Sequence, residues 1–284
     1  TTVTTFVGLI PIMLERSTDA QFLKPAVLSL AFGVLFALFV TLVLVPSLYC
    51  IGEDCRRGIA QIPVFVRRTL GLAGKVALCT ASSKGMGLAM AEALAEQGAK
   101  VVVSSRKQDA CEVAAKSIND QFGEGSATAI ACNIGYKDQL QALVDQTHEQ
   151  LGKIDILVSN GGVNPFYGPM SEIPDEAFDK IMNSNVRSNH WLCQMVLPDM
   201  IAAGKGSIMI TASTGALGAS DTLGTYNISK LADIALVRNL ALENGPHGIR
   251  VNAICPGVIK TDFARALWDN PEGEARAAEM VAVI

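Results

Sequence analysis

The stretch that decides the fold is Val76-Ala77-Leu78-Cys79-Thr80-Ala81-Ser82-Ser83-Lys84-Gly85-Met86-Gly87. A short apolar run, a turn of small residues and a helix-compatible continuation read as strand, loop and helix. The first amides of a helix lack intrahelical partners, and the helix dipole adds positive potential there. Such a turn is a ready site for a pyrophosphate. Gly85 and Gly87 allow the close backbone approach this requires. Thr80, Ser82, Ser83, Lys84, Gly85, Met86 and Gly87 are therefore candidate phosphate-side contacts. A lone G-x-G also fits an ordinary strand–helix turn, so the flanking pattern has to decide.

Working outward, short β-branched runs alternate with helix-length segments from Lys75 onward. Strands are expected at 76–79, 101–103, 127–130, 154–158, 207–211 and 249–254. Helices are expected at 86–98, 109–119, 136–151, 175–200 and 224–243. This alternation predicts a parallel sheet covered on both faces. Right-handed crossovers then give an α/β, doubly wound, Rossmann-like order.

The end of the second strand sets cofactor choice. An acidic residue there would bind the ribose 2′-hydroxyl of NAD. The chain instead reads Ser104-Ser105-Arg106-Lys107. A guanidinium pairs bidentately with a 2′-phosphate, and Lys84 in the glycine turn offers a second cation. The expectation is NADP(H), with Ser105 and Arg106 at the phosphate. The alternative is that Arg106 and Lys107 only cap a solvated strand end.

Ser213, Tyr226 and Lys230 stand thirteen and four residues apart. Tyr226 and Lys230 share one helix face. A free tyrosine titrates near about 10 and is a poor acid–base group at neutral pH, whereas a nearby ammonium favours the phenolate. Ser213 closes a strand-like run and can hydrogen-bond a carbonyl oxygen as charge develops on it. Y-x-x-x-K by itself also fits a solvated helix face; its company with Ser213 and the glycine turn points to catalysis.

On these motifs residues 73–284 resemble the short-chain dehydrogenase/reductase family. The resemblance implies a tetrad of Asn185, Ser213, Tyr226 and Lys230, with Lys230 also gripping the nicotinamide ribose. It implies that Ser159-Asn160-Gly161-Gly162 lies along the cofactor, through Asn160 and Gly161. Asn133 and Ile134 match the segment at adenine, although the family usually has Asp at position 133. Pro256, Gly257, Ile259 and Thr261 match the P-G-x-x-x-T segment that reaches the nicotinamide carboxamide. Within the family, VVVSSRKQ, IDILVSN and VNPFYG look most like the NADP-dependent carbonyl reductase/retinol dehydrogenase group called dehydrogenase/reductase member 4. That group shares Ala at position 81, where most relatives have Gly. A homodimer or homotetramer is also implied, but the family continues past Ile284 with one more helix and strand. The domain is therefore expected to be C-terminally truncated, which bears against that assembly. Asn164 to Tyr167, Leu267 and Trp268 are candidate substrate-pocket walls.

The front of the chain has another texture. Pro25 to Gly52 runs for 28 residues without a charge. About 20 apolar residues span a bilayer as a helix, so a transmembrane segment is expected there. Residues 1–52 resemble the last membrane spans of a resistance-nodulation-division efflux transporter, which implies derivation from such a tail and no transport activity. Arg56, Arg57, Arg67 and Arg68 follow the run, and by the positive-inside rule they put the next domain in the cytoplasm. The expected division is 1–54 transmembrane segment, 55–73 basic linker and 74–284 NADP-binding domain. The expected location is membrane-associated, through residues 25–52, with a freely cytoplasmic protein as the alternative. Thr1 in place of Met predicts a fragment or processed chain.

Composition excludes other classes. The formal net charge of −4 argues against nucleic acid. The 7 cysteines form no C-x-x-C pair, and the 3 histidines lie far apart, so no metal site is expected. The functional expectation is reversible, NADPH-dependent reduction of a small ketone or aldehyde, with Tyr226 as proton donor. The alternatives are a 3-oxoacyl thioester reductase and a non-catalytic, membrane-tethered nucleotide-binding fragment.

Overall fold

Six strands hydrogen-bond in the order β3-β2-β1-β4-β5-β6, and every pair is parallel. The structure, a computed structural model, describes residues 71–259 and 261–263. The strands are β1 (Val76–Thr80), β2 (Lys100–Ser104), β3 (Ala127–Ala129), β4 (Ile156–Ser159), β5 (Gly206–Thr211) and β6 (Ile249–Ile254). The helices between them are α1 (Gly85–Glu96), α2 (Gln108–Phe122), α3 (Lys137–Leu151), α4 (Asp175–Ile181), α5 (Ser188–Ala203) and α6 (Gly224–Asn244). The doubly wound expectation holds, and strand ends differ from it by one or two residues.

Side chains alternate across the strands, and the two sheet faces feed two cores. Leu78, Val102, Leu157, Ile208 and Ile210 pack with Leu140 and Leu143 of α3 and Leu192, Val196 and Met200 of α5. Ala77, Cys79, Val101 and Val103 pack with Ala91 and Ala95 of α1 and Cys111, Ala114 and Ile118 of α2. All five residues of β1 are buried, as a central strand covered on both faces requires.

The helix expected at 175–200 runs without a gap from Asp175 to Ala203 but is not regular throughout. Between α4 and α5 lies a π-helical turn, Met182–Arg187. Polar side chains take over carbonyls there: Ser188 Oγ donates to the Ser184 carbonyl at 2.6 Å, and Asn189 Nδ2 to the Asn185 carbonyl at 2.6 Å. Side-chain competition of this kind unwinds the regular ladder, and such π turns gather at functional sites.

The chain divides into two units, Thr1–Val66 and Arg67–Ile284. The expected span at 25–52, the transporter-like tail, and Lys260, Leu267 and Trp268 lie outside the described residues. Among the described residues no helix is long and apolar enough to cross a membrane.

Candidate active site

In an open parallel sheet, ligands bind beyond the carboxyl ends of the strands where the strand order reverses. Here that point lies between β1 and β4, and the residues singled out in the sequence converge on it. The hydroxyl of Thr80, which ends β1, accepts from the Asn160 and Gly161 amides at 3.1 and 3.3 Å. Asn160 donates to the Ala81 carbonyl at 3.2 Å and accepts from the Thr211 hydroxyl at 3.2 Å. The ends of β1, β4 and β5 are thereby tied into one floor.

The glycine turn fits a pyrophosphate. No side chain caps the first amides of α1, and its first turn carries no acidic residue. A Cβ on Gly87 would stand 2.3 Å from the Ala81 carbonyl oxygen and 2.7 Å from Asn160 Nδ2, so only glycine fits there. Ala81 takes a left-handed φ of 49°. Ser82 corrects the sequence reading: it is buried, donates to the Cys79 carbonyl at 2.7 Å and accepts from the Ser104 amide at 3.0 Å. Its hydroxyl ties β1 to β2 and has no free face for a phosphate. Ser83 and Met86 are half-buried in the same turn. Lys84 forms an exposed ion pair with Asp262 at 2.6 Å, which joins the glycine turn to the segment after β6. Thr261 lies on that segment, 3.4 Å from where a Gly85 Cβ would be.

The remaining cofactor candidates border this groove. Arg106 is exposed beyond β2, and the Ser105 amide donates to Cys111 Sγ at 3.0 Å. Asn133 Oδ1 accepts from the Gly135 amide at 3.2 Å, closing a small turn. Ile134 packs against Gly161, where an added Cβ would meet its Cδ1 at 2.5 Å. The Pro256 carbonyl accepts from the Thr214 amide at 3.0 Å, while Gly257 has open space above it and Ile259 is exposed.

The tetrad residues assemble, though not all as expected. The Ser213 hydroxyl accepts from the Gly215 amide at 3.1 Å and acts on the Tyr226 phenol, favouring its ionised form. Phe263 lies 6.2 Å from the Tyr226 ring. Lys230 donates to the Thr211 carbonyl at 2.7 Å and to Asp233 Oδ2 at 3.1 Å. Asn185 spends its side chain on the Val163 backbone and on Ser229 Oγ.

Burial acts on the phenol as well as charge. Burial pushes the Tyr226 phenol up to about 12; the Ser213 hydroxyl works against this, and the Asp233 and Tyr167 charges add to it. The Lys230 amine is engaged by the Asp233 carboxylate and the Thr211 carbonyl. Sequence reasoning missed Asp233 and Asn189, which complete the Lys230 cluster. Asp233 follows Lys230 by three residues on the same helix, and that spacing was the available signal. Among the described residues no group of three His, Cys, Asp or Glu side chains is placed to hold a metal.

Comparison with known proteins agrees with this geometry. The short chain dehydrogenase family profile matches residues 75–272. Dehydrogenase/reductase SDR family member 4 of Bos taurus is 43% identical over 201 residues, covering 70% of this chain and 71% of the relative. The Homo sapiens protein of that name is 42% identical over 213 residues, covering 75% and 76%. Among solved structures, a 7α-hydroxysteroid dehydrogenase complexed with NADH and 7-oxo glycochenodeoxycholic acid superposes with a TM-score of 0.69 at 36% identity, over 74% of this chain and 80% of that one. A gluconate 5-dehydrogenase from Burkholderia cenocepacia in complex with NADP and tartrate gives 0.68 at 28% identity, over 73% and 80%. The family match does not reach residues 1–52, whose likeness to an efflux-transporter tail finds no support in these relatives.

Proposed function

The chain belongs to the short-chain dehydrogenase family, and from that premise we propose that it reduces small ketones or aldehydes with NADPH, reversibly. The family's fold binds NAD(P), and its members are oxidoreductases acting on small molecules. The observation that carries the reading is the meeting of Lys230 with the Thr211 carbonyl at the end of β5, two residues before Ser213 and on the same helix as Tyr226, at the sheet edge where the uncapped start of α1 lies.

The groove would hold the pyrophosphate over Gly85 to Gly87 and the adenine side near Asn133 and Ile134. Ser105 and Arg106 would meet a 2′-phosphate; the absence of a carboxylate in Ser104 to Lys107 supports NADP(H) over NAD(H). The solved relatives were captured with NADH and with NADP, so the choice rests on this chain's own residues. The cofactor supplies the hydride. Tyr226 holds the proton that the carbonyl oxygen receives, and Ser213 orients that oxygen. Lys230 anchors the helix face on which Tyr226 stands and would hold ribose through its remaining N–H. Asn185 acts as support for the loop at Val163. Residues 74–284 form the proposed cofactor-binding domain, and the uncharged run 25–52 supports a membrane tether as a separate proposal.

Purified protein assayed with NADPH and NADH on an aromatic ketone and on an acetoacetyl thioester tests the reading. Turnover of the ketone with NADPH is expected. Thioester turnover alone would favour a 3-oxoacyl reductase, and NADPH binding without any turnover would leave a non-catalytic nucleotide-binding fragment.

A further inference from the structure

Lys230 shares its site with a second charge. Asp233 Oδ2 lies 3.1 Å from its amine, one helical turn along α6, and the two side chains are only 3% and 0% exposed. Ions this deep persist only where hydrogen bonds satisfy their remaining atoms. That condition is met from two other elements. Asn189 of α5 donates to Asp233 Oδ1 at 2.8 Å and accepts from Ser159 Oγ, at the end of β4, at 2.6 Å. The Thr211 carbonyl takes a second proton of Lys230, leaving one N–H of the ammonium for a ligand. A residue of this burial on a packed helix face would ordinarily be apolar. A carboxylate with a dedicated amide and a dedicated ammonium points to a task.

We propose that Asp233 is a positioning residue: a buried counter-ion that fixes the Lys230 amine and, by offsetting its charge, sets the pH at which Tyr226 releases its proton. The inference rests on the reading of Tyr226 as the proton donor. A lone ammonium beside the phenol would stabilise the phenolate, whereas an ammonium paired with a carboxylate does so far less. The ionisable groups facing this carboxylate are Lys230 and Tyr226 on α6 and Cys193 on α5. Burial pushes the Cys193 thiol up to about 12, with the Asp233 charge adding. Tyr167, from the loop after β4, is the other ionisable group acting on Tyr226.

The test is Asp233→Asn, which keeps the shape and removes the charge. Tyrosine labelled at the ring carbon bearing oxygen is titrated by NMR in the cofactor-free protein, with Tyr226 assigned from the Tyr226→Phe spectrum. The Tyr226 midpoint should move down by about half a unit or more. The pH profile of alcohol oxidation should move the same way, while Asp233→Glu should hold the wild-type position. A midpoint that stays or rises, or a Glu variant that shifts as Asn does, overturns the proposal. Should Asp233→Asn fail to fold, Asn189→Ser decides: it keeps both charges and removes the amide that aims Asp233. Its kcat should fall about tenfold with KM for NADPH unchanged; wild-type kcat overturns the proposal. The Tyr226→Phe control separates two failures. Turnover that survives in it removes the functional reading itself. Turnover lost there, with an unmoved midpoint in Asp233→Asn, removes only the role of Asp233.

Discussion

Asn185 and Val163 hold each other through a closed pair of hydrogen bonds: the Val163 amide donates to Asn185 Oδ1 at 2.8 Å, and its carbonyl accepts from Asn185 Nδ2 at 3.0 Å. The side chain imitates a neighbouring strand and pins the loop that follows β4. A third bond, from Nδ2 to Ser229 Oγ at 3.0 Å, ties the same amide to α6 between Tyr226 and Lys230. Loop and helix are therefore set relative to each other by one buried residue.

Asn185→Ala should remove that register. It leaves a half-buried amide and carbonyl of Val163 without their partner, which costs about 1 kcal/mol. The melting temperature should fall by several degrees, and kcat should fall more than KM for the cofactor rises. Calorimetry with steady-state kinetics checks both. An unchanged melting temperature would show that the clamp is not needed for stability.

Arg106 should decide between the two nicotinamide cofactors. A charged hydrogen bond to phosphate is worth about 1.5–3 kcal/mol, so Arg106→Ala should lower kcat/KM for NADPH by roughly 10- to 100-fold. Efficiency with NADH should change little, and Arg106→Asp should reverse the preference. A wild type that already prefers NADH contradicts the assignment.

The sheet was legible because β-branched runs and helix-length segments alternate, and buried parallel strands carry little other information. The glycine turn was legible because glycine spacing reflects backbone geometry directly. What the sequence hid was competition. The π turn at Met182–Arg187 depends on Ser188 and Asn189 reaching back to carbonyls, which periodicity does not register. Ser82 looked like a phosphate ligand because it stands in the glycine turn, yet its hydroxyl faces inward between β1 and β2. Asp233, the partner of Lys230 three residues on, was not read at all, because a single carboxylate on a helix carries no motif.

Tyr226 should accordingly stay protonated in the cofactor-free protein well into the alkaline range. Burial, the leading cause, disfavours the phenolate and pushes the phenol up to about 12. The folded value lies above that of a free tyrosine, so at neutral pH the hydroxyl keeps its proton. Alcohol oxidation, which needs the phenolate, should gain rate as pH rises above neutrality, while ketone reduction should not lose its acid over that range. NMR titration of the labelled ring checks the first statement, and initial rates in both directions check the second. A midpoint near 7 without cofactor would mean that the ammonium field outweighs burial after all.

The glycine turn makes the sharpest demand on residue size. At Gly87 a methyl group would press on the Ala81 carbonyl oxygen at 2.3 Å and on Asn160 Nδ2 at 2.7 Å, both fixed parts of the floor. Gly87→Ala should therefore push the turn outward and destabilise the protein by about 1–3 kcal/mol. NADPH binding, followed by fluorescence, should weaken at least tenfold. Ala81 is the opposite case. Its φ of 49° puts an L-residue in the left-handed region, at about 1–2 kcal/mol, whereas glycine costs only about 0.5–1 kcal/mol in unfolded-chain entropy. Ala81→Gly should leave the melting temperature equal or slightly higher, with cofactor affinity unchanged. A clear loss of stability would mean that the Ala81 methyl group makes a packing contact that outweighs the strain. Tested together, the two substitutions separate a turn limited by space at position 87 from one limited by backbone angle at position 81.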